Sequence, residues 1–253
     1  MNPSRHKEPA SVPPEWQSVE MRRQRALAAT RRRYAEDELQ AAVARGAAQY
    51  VILGAGLDTF AYSNPNPHVR VFEVDRPETQ AWKRAQMDAA GIAIPPSLAL
   101  VPADFDHRSL AAALQDAGFQ GRAISFFSWL SVALYPNAQA TLATLGFIGS
   151  LPAGSGVVFD YPARGSSLDL AKDAAHGPQQ ETAMDALASR FAAGGGAVQH
   201  FVDSRALDRL LRSVGFQEVE DLAPAEMDRR YRSDRADGLR VSPGLAHFVS
   251  ARV

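Results

Sequence analysis

Apolar and polar positions along the chain follow two rhythms. Five short, nearly continuous apolar runs, at 49–53, 69–75, 97–101, 123–127 and 154–161, have the length of strands buried on both faces of a sheet. Helical spacing fills 77–90, with Pro77 at its start, then 109–117 and 137–150, and a helix is also expected straight after the glycine turn at 54–59. Strands alternating with helices in this way predict repeated βαβ units and a parallel sheet with right-handed crossovers. Past residue 200 the order changes. Asp203 opens a capped helix that ends at Gly215, and 216–222 and 246–253 read as strands with no long helix between them. The pattern therefore predicts a doubly wound, seven-stranded α/β sheet that finishes in an antiparallel pair.

Three stretches fall outside this rhythm. Residues 1–16 carry Pro3, Pro9, Pro13 and Pro14 and read as a loose arm. Residues 18–45 are rich in Ala, Arg, Glu and Gln and read as a helical extension ahead of the sheet. Residues 163–199 hold Gly165, the pair Gly177-Pro178 and the run Gly194-Gly195-Gly196, the marks of a glycine-hinged insertion after the fifth strand. No repeat and no second core are visible, so 1–253 reads as one domain.

Composition narrows the chemistry mainly by exclusion. A net charge of −1 gives no field to steer the molecule to nucleic acid or to an anionic membrane. The arginines at 22, 23, 25, 31, 32 and 33 are followed by Glu36, Asp37 and Glu38, the arrangement of a solvated helix face with internal ion pairs. There is no cysteine, which excludes disulfides, thiolate metal sites and cysteine nucleophiles and fits a cytoplasmic protein. No apolar run approaches the roughly 20 residues that span a bilayer, and no histidine pair has metal-ligand spacing.

The most informative stretch is Leu53-Gly54-Ala55-Gly56-Leu57-Asp58-Thr59, directly after the first strand. Glycines there let the backbone approach a ligand. Asp75 ends the second strand, where a carboxylate can accept both ribose hydroxyls of a nucleotide-like cofactor. A nicotinamide fingerprint would need a third glycine where Thr59 stands, and Asp58 would repel a pyrophosphate but not an amino-acid tail. The expected terminal antiparallel pair also marks methyltransferase sheets more than dehydrogenase ones.

On these residues the chain resembles the leucine carboxyl methyltransferase family, in its bacterial branch of small-molecule O-methyltransferase-like proteins. Besides the glycine turn, the matching pieces are Arg31-Arg32-Arg33-Tyr34-Ala35-Glu36-Asp37, Val71-Phe72-Glu73-Val74-Asp75-Arg76-Pro77, Val101-Pro102-Ala103-Asp104-Phe105 and Trp129-Leu130-Ser131-Val132-Ala133-Leu134-Tyr135. Gly215-Phe216 and Arg235-Ala236-Asp237-Gly238-Leu239 extend the match to the C-terminal part. The resemblance implies a Rossmann-like class I fold that binds S-adenosyl-L-methionine. Gly54, Ala55 and Gly56, with Asp58 nearby, would line its methionine portion. Asp75, helped by Glu73, would hold the ribose, and Asp104 and Phe105 would meet the adenine. Arg31, or after it Arg33, would pair with the cofactor carboxylate. Two departures stand out: Leu130 occupies a position where many members have glutamate, and Ser63 one where arginine is frequent.

Methyl transfer from a sulfonium is an in-line displacement, so the protein mainly aligns the acceptor and excludes water. A carboxylate acceptor needs no base, whereas a hydroxyl is helped by one. Tyr135, Tyr161, His176 and His200 are candidates for that role, and the 163–199 insertion for a substrate lid. The expected activity is O-methylation of a carboxyl or hydroxyl group on a small molecule. A protein C-terminal carboxyl methyltransferase, and a cofactor-binding fold with lost or non-methylating activity, stay open as alternatives.

Overall fold

Five consecutive buried residues, Gln49–Leu53, form β1, and the sheet is built out on either side of it. The structure is a computed structural model that describes residues 19–104, 109–130, 138–163, 203–234, 240–241 and 246–253. In chain order its elements are α1 (Val19–Ala44), β1, β2 (Arg70–Asp75), α2 (Pro77–Ala89), β3 (Leu98–Pro102), α3 (Leu110–Asp116) and β4 (Ser125–Trp129). There follow α4 (Ala138–Gly149), β5 (Gly156–Pro162), α5 (Ser204–Ser213), β6 (Glu218–Leu222), α6 (Pro224–Tyr231) and β7 (Ala246–Arg252). The seven strands lie in the order β3-β2-β1-β4-β5-β7-β6. The first five pair in parallel, and β7 runs antiparallel to both β5 and β6. Strand count, direction and the antiparallel finish all agree with the sequence pattern.

Each face of the sheet carries its own apolar layer. Phe72, Val74, Phe127, Val157 and Phe159 pack with Leu114 of α3, Ile148 of α4 and Leu211 of α5. On the other face Tyr50, Ile52, Val71, Phe126 and Val158 pack with Tyr34, Leu39 and Ala42 of α1 and with Met227 of α6. Alternation along each parallel strand thus supplies both layers, as burial on two faces requires.

The helical extension belongs to the sheet rather than standing ahead of it. Ala26, Thr30, Tyr34, Leu39 and Ala42 make a buried stripe on α1 at helical spacing. The Tyr34 ring meets Tyr231 and Phe248 edge-on, with centroids 6.5 and 6.2 Å away. These contacts tie α1 to α6 and β7 and hold its arginine-rich turn beside the sheet.

Several strand boundaries shift by one or two residues from the sequence pattern, and one expected element is replaced. β4 runs on through Ser128 and Trp129, two residues past the end of the apolar run, because the Ser128 hydroxyl is satisfied inside the protein by the Tyr50 hydroxyl at 2.8 Å. β6 starts at Glu218, since the Phe216 side chain turns down into the core. No α-helix follows the glycine turn; a single 3-10 turn, Phe60–Tyr62, stands there. Pro65 and Pro67, close behind, disfavour helical backbone in the residues that precede them. The N-terminal arm and nearly all of the 163–199 insertion lie outside the described residues. Among the described residues, no helix is long and apolar enough to cross a membrane.

The C-terminal ends of α4 and α5 meet backbone to backbone. A Cβ on Gly149 would overlap the Val214 carbonyl oxygen, and one on Gly215 would overlap the Gly149 carbonyl oxygen. Gly215 also has φ +118°, a conformation that other residues rarely adopt. Gly149→Ala is expected to cost about 1–3 kcal/mol of stability through overpacking, read from urea denaturation midpoints.

Candidate active site

The turn that leaves β1 is held at each step by the strand beside it. The Gly54 and Ala55 amides both donate to the Val74 carbonyl, at 2.8 and 3.2 Å, which folds the chain back over the end of β2. Gly54 and Gly56 take φ of +69° and +50°, values suited to glycine. The Gly56 amide donates to Asp75 Oδ2 at 2.7 Å, and the Arg76 amide donates to Asp75 Oδ1 at 2.7 Å. Asp58 closes the turn: its amide donates to the Ala55 carbonyl at 2.7 Å, and its Oδ1 accepts from the Phe60 amide at 2.7 Å. The Ala103 amide donates to the Asp75 carbonyl at 2.8 Å, which brings the half-buried Asp104 alongside Asp75.

Beside this turn opens a cavity of about 220 Å³, bordered by Arg31, Arg32, Tyr50, Gly54, Asp58, Phe60, Ser128 and Leu130. Tyr50 forms part of its wall, with its ring edge-on to Phe60 at 5.0 Å. Burial pushes the Tyr50 hydroxyl well above the ordinary tyrosine range, so at neutral pH it is a neutral hydrogen-bonding group. Arg31 Nη1 stands 3.8 Å from Asp160 Oδ2 and so links α1 to β5. Arg32 donates to Glu36 at 2.9 Å and reaches Thr59 Oγ1 of the turn at 3.5 Å. The Glu36 carboxylate holds the Arg32 guanidinium above its usual value.

The site thus joins a glycine turn, bonded to a strand-end aspartate, with Arg31 and Arg32 of the preceding helix on one cavity. Residues 2–149 match the model of the leucine carboxyl methyltransferase family. The chain belongs to the leucine carboxyl methyltransferase family. YktD of Bacillus subtilis, a candidate S-adenosyl-L-methionine-dependent methyltransferase, is 33% identical over 221 residues, which are 86% of this chain and 69% of YktD. A Frankia alni protein of the same description is 36% identical over 143 residues, 55% of this chain and 50% of that relative. Solved structures share the fold. A DUF574 family protein from Streptomyces avermitilis superposes with a TM-score of 0.56 at 17% identity, over 92% of this chain and 83% of that one. An O-methyltransferase candidate from Nostoc punctiforme gives 0.54 at 12% identity, over 90% and 58%.

Of the residues singled out by the sequence, Arg31, Gly54, Asp58 and Leu130 border the cavity, and Asp75 is bonded to the turn through the Gly56 amide. Several other candidates lie elsewhere. Arg33 faces solvent, with its side chain 66% exposed and ion-paired to Asp37 at 2.9 Å, so it is not the alternative to Arg31. Glu73 is fully buried beneath the turn in a pair with Lys83, away from a ribose position at the strand end. Burial raises its carboxyl above the usual range while Lys83 opposes that rise. Tyr161 lies on the opposite face of the sheet from the cavity, among Phe159, Ala163 and Leu207. Its hydroxyl is 2.7 Å from Ser204 Oγ and donates to Asp221 Oδ2 at 2.5 Å. Burial, then that bond to Asp221, pushes the Tyr161 hydroxyl far above its ordinary range. It is a structural group and not a base. Phe105, Tyr135, His176 and His200 lie outside the described residues.

Arg32, Tyr50 and Ser128 were not singled out by the sequence. Tyr50 is hidden inside an apolar strand, and Ser128 stands beyond the apolar run that marked β4. For the arginines a usable signal exists at four-residue spacing. Arg32 and Arg33 are followed four residues on by Glu36 and Asp37, whereas Arg31 is followed by the buried Ala35. Tyr161→Phe is expected to lower stability by about 1–2 kcal/mol in urea denaturation, because it strips a partner from Asp221 and Ser204. A fully stable variant would contradict the network.

Proposed function

We propose that this S-adenosyl-L-methionine-dependent methyltransferase methylates an oxygen of a small molecule, and that the acceptor is a carboxylate. The observation that carries the reading is the glycine turn bridged to Asp75 and opening on a cavity that Arg31 lines. The residues fit such a cofactor. Asp75 accepts one amide on each oxygen and keeps lone pairs on both for ribose hydroxyls. Asp104, the residue after Ala103, would accept from an adenine amino group. Gly54, Ala55 and Gly56 border the methionine portion. A Cβ on Gly56 would meet nothing within 4 Å, so the space beside that backbone is open. Arg31 takes the carboxylate as a charge-assisted pair. With Leu130 in place of a glutamate, the ammonium falls to Asp58 and to backbone carbonyls of the turn.

Held by these residues, the cofactor would supply an electrophilic methyl group on a cationic sulfur to an acceptor oxygen. The chain's own part is alignment and exclusion of water. Among the described residues of the cavity wall, Glu36 is paired with Arg32, Asp58 accepts from the Phe60 amide, and Tyr50 is held neutral. A carboxylate acceptor is already anionic and asks for no proton transfer, which favours it over a hydroxyl. Arg32 adds a second positive charge on the same cavity. The absence of cysteine is in keeping with work in the cytoplasm.

Incubation with methyl-labelled cofactor and a small-molecule extract is expected to yield a product that releases labelled methanol in mild alkali, as a methyl ester does. An alkali-stable product would assign a hydroxyl or another acceptor instead. Arg31→Met is expected to raise the cofactor Kd by tenfold or more in calorimetry, the scale of one lost charge-assisted bond.

A further inference from the structure

Beneath the glycine turn lies an ion pair that the chemistry above does not use. Lys83 of α2 has a side chain only 4% exposed and is paired with Glu73 of β2, whose side chain is fully buried. Its ammonium makes one more bond, donating to the Asp58 carbonyl at 2.7 Å. As a device for stability the pair is poor. Two charges are taken out of water, Glu73 Oε1 is buried without a hydrogen-bond partner, and apolar side chains of the same volume commonly serve a core as well or better. Docking of α2 does not depend on it alone either, since Gln80 Nε2 donates to the Glu73 carbonyl at 2.8 Å and Met87 is buried. What an apolar pair cannot supply is the donor to Asp58.

That donor completes the set of restraints on the turn. Val74 holds its first two amides and Asp75 holds the Gly56 amide, but both act on its first half. At its far end Arg32 reaches the Thr59 hydroxyl at 3.5 Å, whereas Lys83 bonds the backbone itself, at the Asp58 carbonyl. Rotation of the peptide after Asp58 would swing that carbonyl off Lys83 and disturb the backbone leading to Phe60, whose amide bonds the Asp58 carboxylate. Glu73 has a matching part: it fixes the lysine side chain and cancels its charge beneath a site that receives a cationic sulfur.

We propose that Lys83 is a positioning residue, clamped by Glu73, that sets the shape of the turn for the amino-acid end of the cofactor. The inference rests on the cofactor site assigned above. It predicts a selective defect: ligands that carry the methionine tail lose affinity, and ligands that lack it do not.

The test compares S-adenosyl-L-methionine with 5′-methylthioadenosine, which keeps adenosine and sulfur and lacks the amino acid, by calorimetry on the full chain. Because loss of one partner strands a buried charge, the main variant is the double change Lys83→Met with Glu73→Gln. It is expected to weaken S-adenosyl-L-methionine by at least tenfold, to leave methylthioadenosine within twofold, and to keep Tm within a few degrees. Lys83→Met alone, in which Glu73 can take up a proton, is the second variant and carries the same expectations should the double variant not fold. Lys83→Arg, which retains a donor and the charge, is expected to recover part of the lost affinity. Equal weakening of both ligands would make Lys83 a plain stability residue, and unchanged affinity for both would remove it from the site; either result overturns the inference. Failure of the unmodified protein to bind S-adenosyl-L-methionine would instead overturn the site assignment beneath it.

Discussion

Asp75 ends β2 with its two carboxylate oxygens taken by two backbone amides, those of Gly56 and Arg76. One amide comes from the turn that leaves the neighbouring strand and the other from the start of α2, so a single side chain sets the distance between the two. Charge-assisted bonds of this kind are about twice as strong as neutral ones. The consequence is a turn that must lie across the strand ends with its glycines at positive φ, leaving the cavity open between it and α1. The loop after β3 follows, because Ala103 bonds to the Asp75 carbonyl and sets Asp104 beside it. Remove the carboxylate, and the turn and the start of α2 lose their common anchor.

Around that anchor the charges are arranged by sign and by depth. Acids at 58, 75 and 104 stand along the strand ends, where a cationic methyl donor and its ribose and adenine would lie. Cations come from the side: Arg31 and Arg32 from α1, and Lys83 from below in a neutral pair. The helix that carries the arginines is bound to the sheet by Tyr34, wedged between Tyr231 and Phe248. A cation of the cavity wall is thereby placed by an aromatic contact one turn away from it.

Much of this was legible in the amino-acid order. Five apolar runs at α/β spacing gave the parallel part of the sheet, and the lack of a long helix between the last two strands, where α6 has only 8 residues, gave the antiparallel finish. The glycine turn and Asp75 were legible because backbone geometry and charge leave few alternatives at those positions. What escaped was tertiary. Glu73 looks like a partner for Asp75 in sequence, yet it points into the protein, where Lys83, ten residues on, meets it. Tyr161 resembles a base at the mouth of a site, but strand alternation sends it to the opposite face. Ser128 is polar and ends an apolar run, so the strand seemed to stop early; only the Tyr50 hydroxyl, 78 positions away, explains how it stays inside. A helix after the turn was expected from the fold class, and two prolines close by were the local signal against it.

The central claim is that the carboxylate at 75 makes the site for the methyl donor, both by shaping the turn and by contact with the sugar. Calorimetric titration of the unmodified chain and of Asp75→Ala with S-adenosyl-L-methionine tests it most directly. The account predicts saturable binding at one site in the former and at least a tenfold loss in the latter. Equal affinity in the two proteins would contradict it.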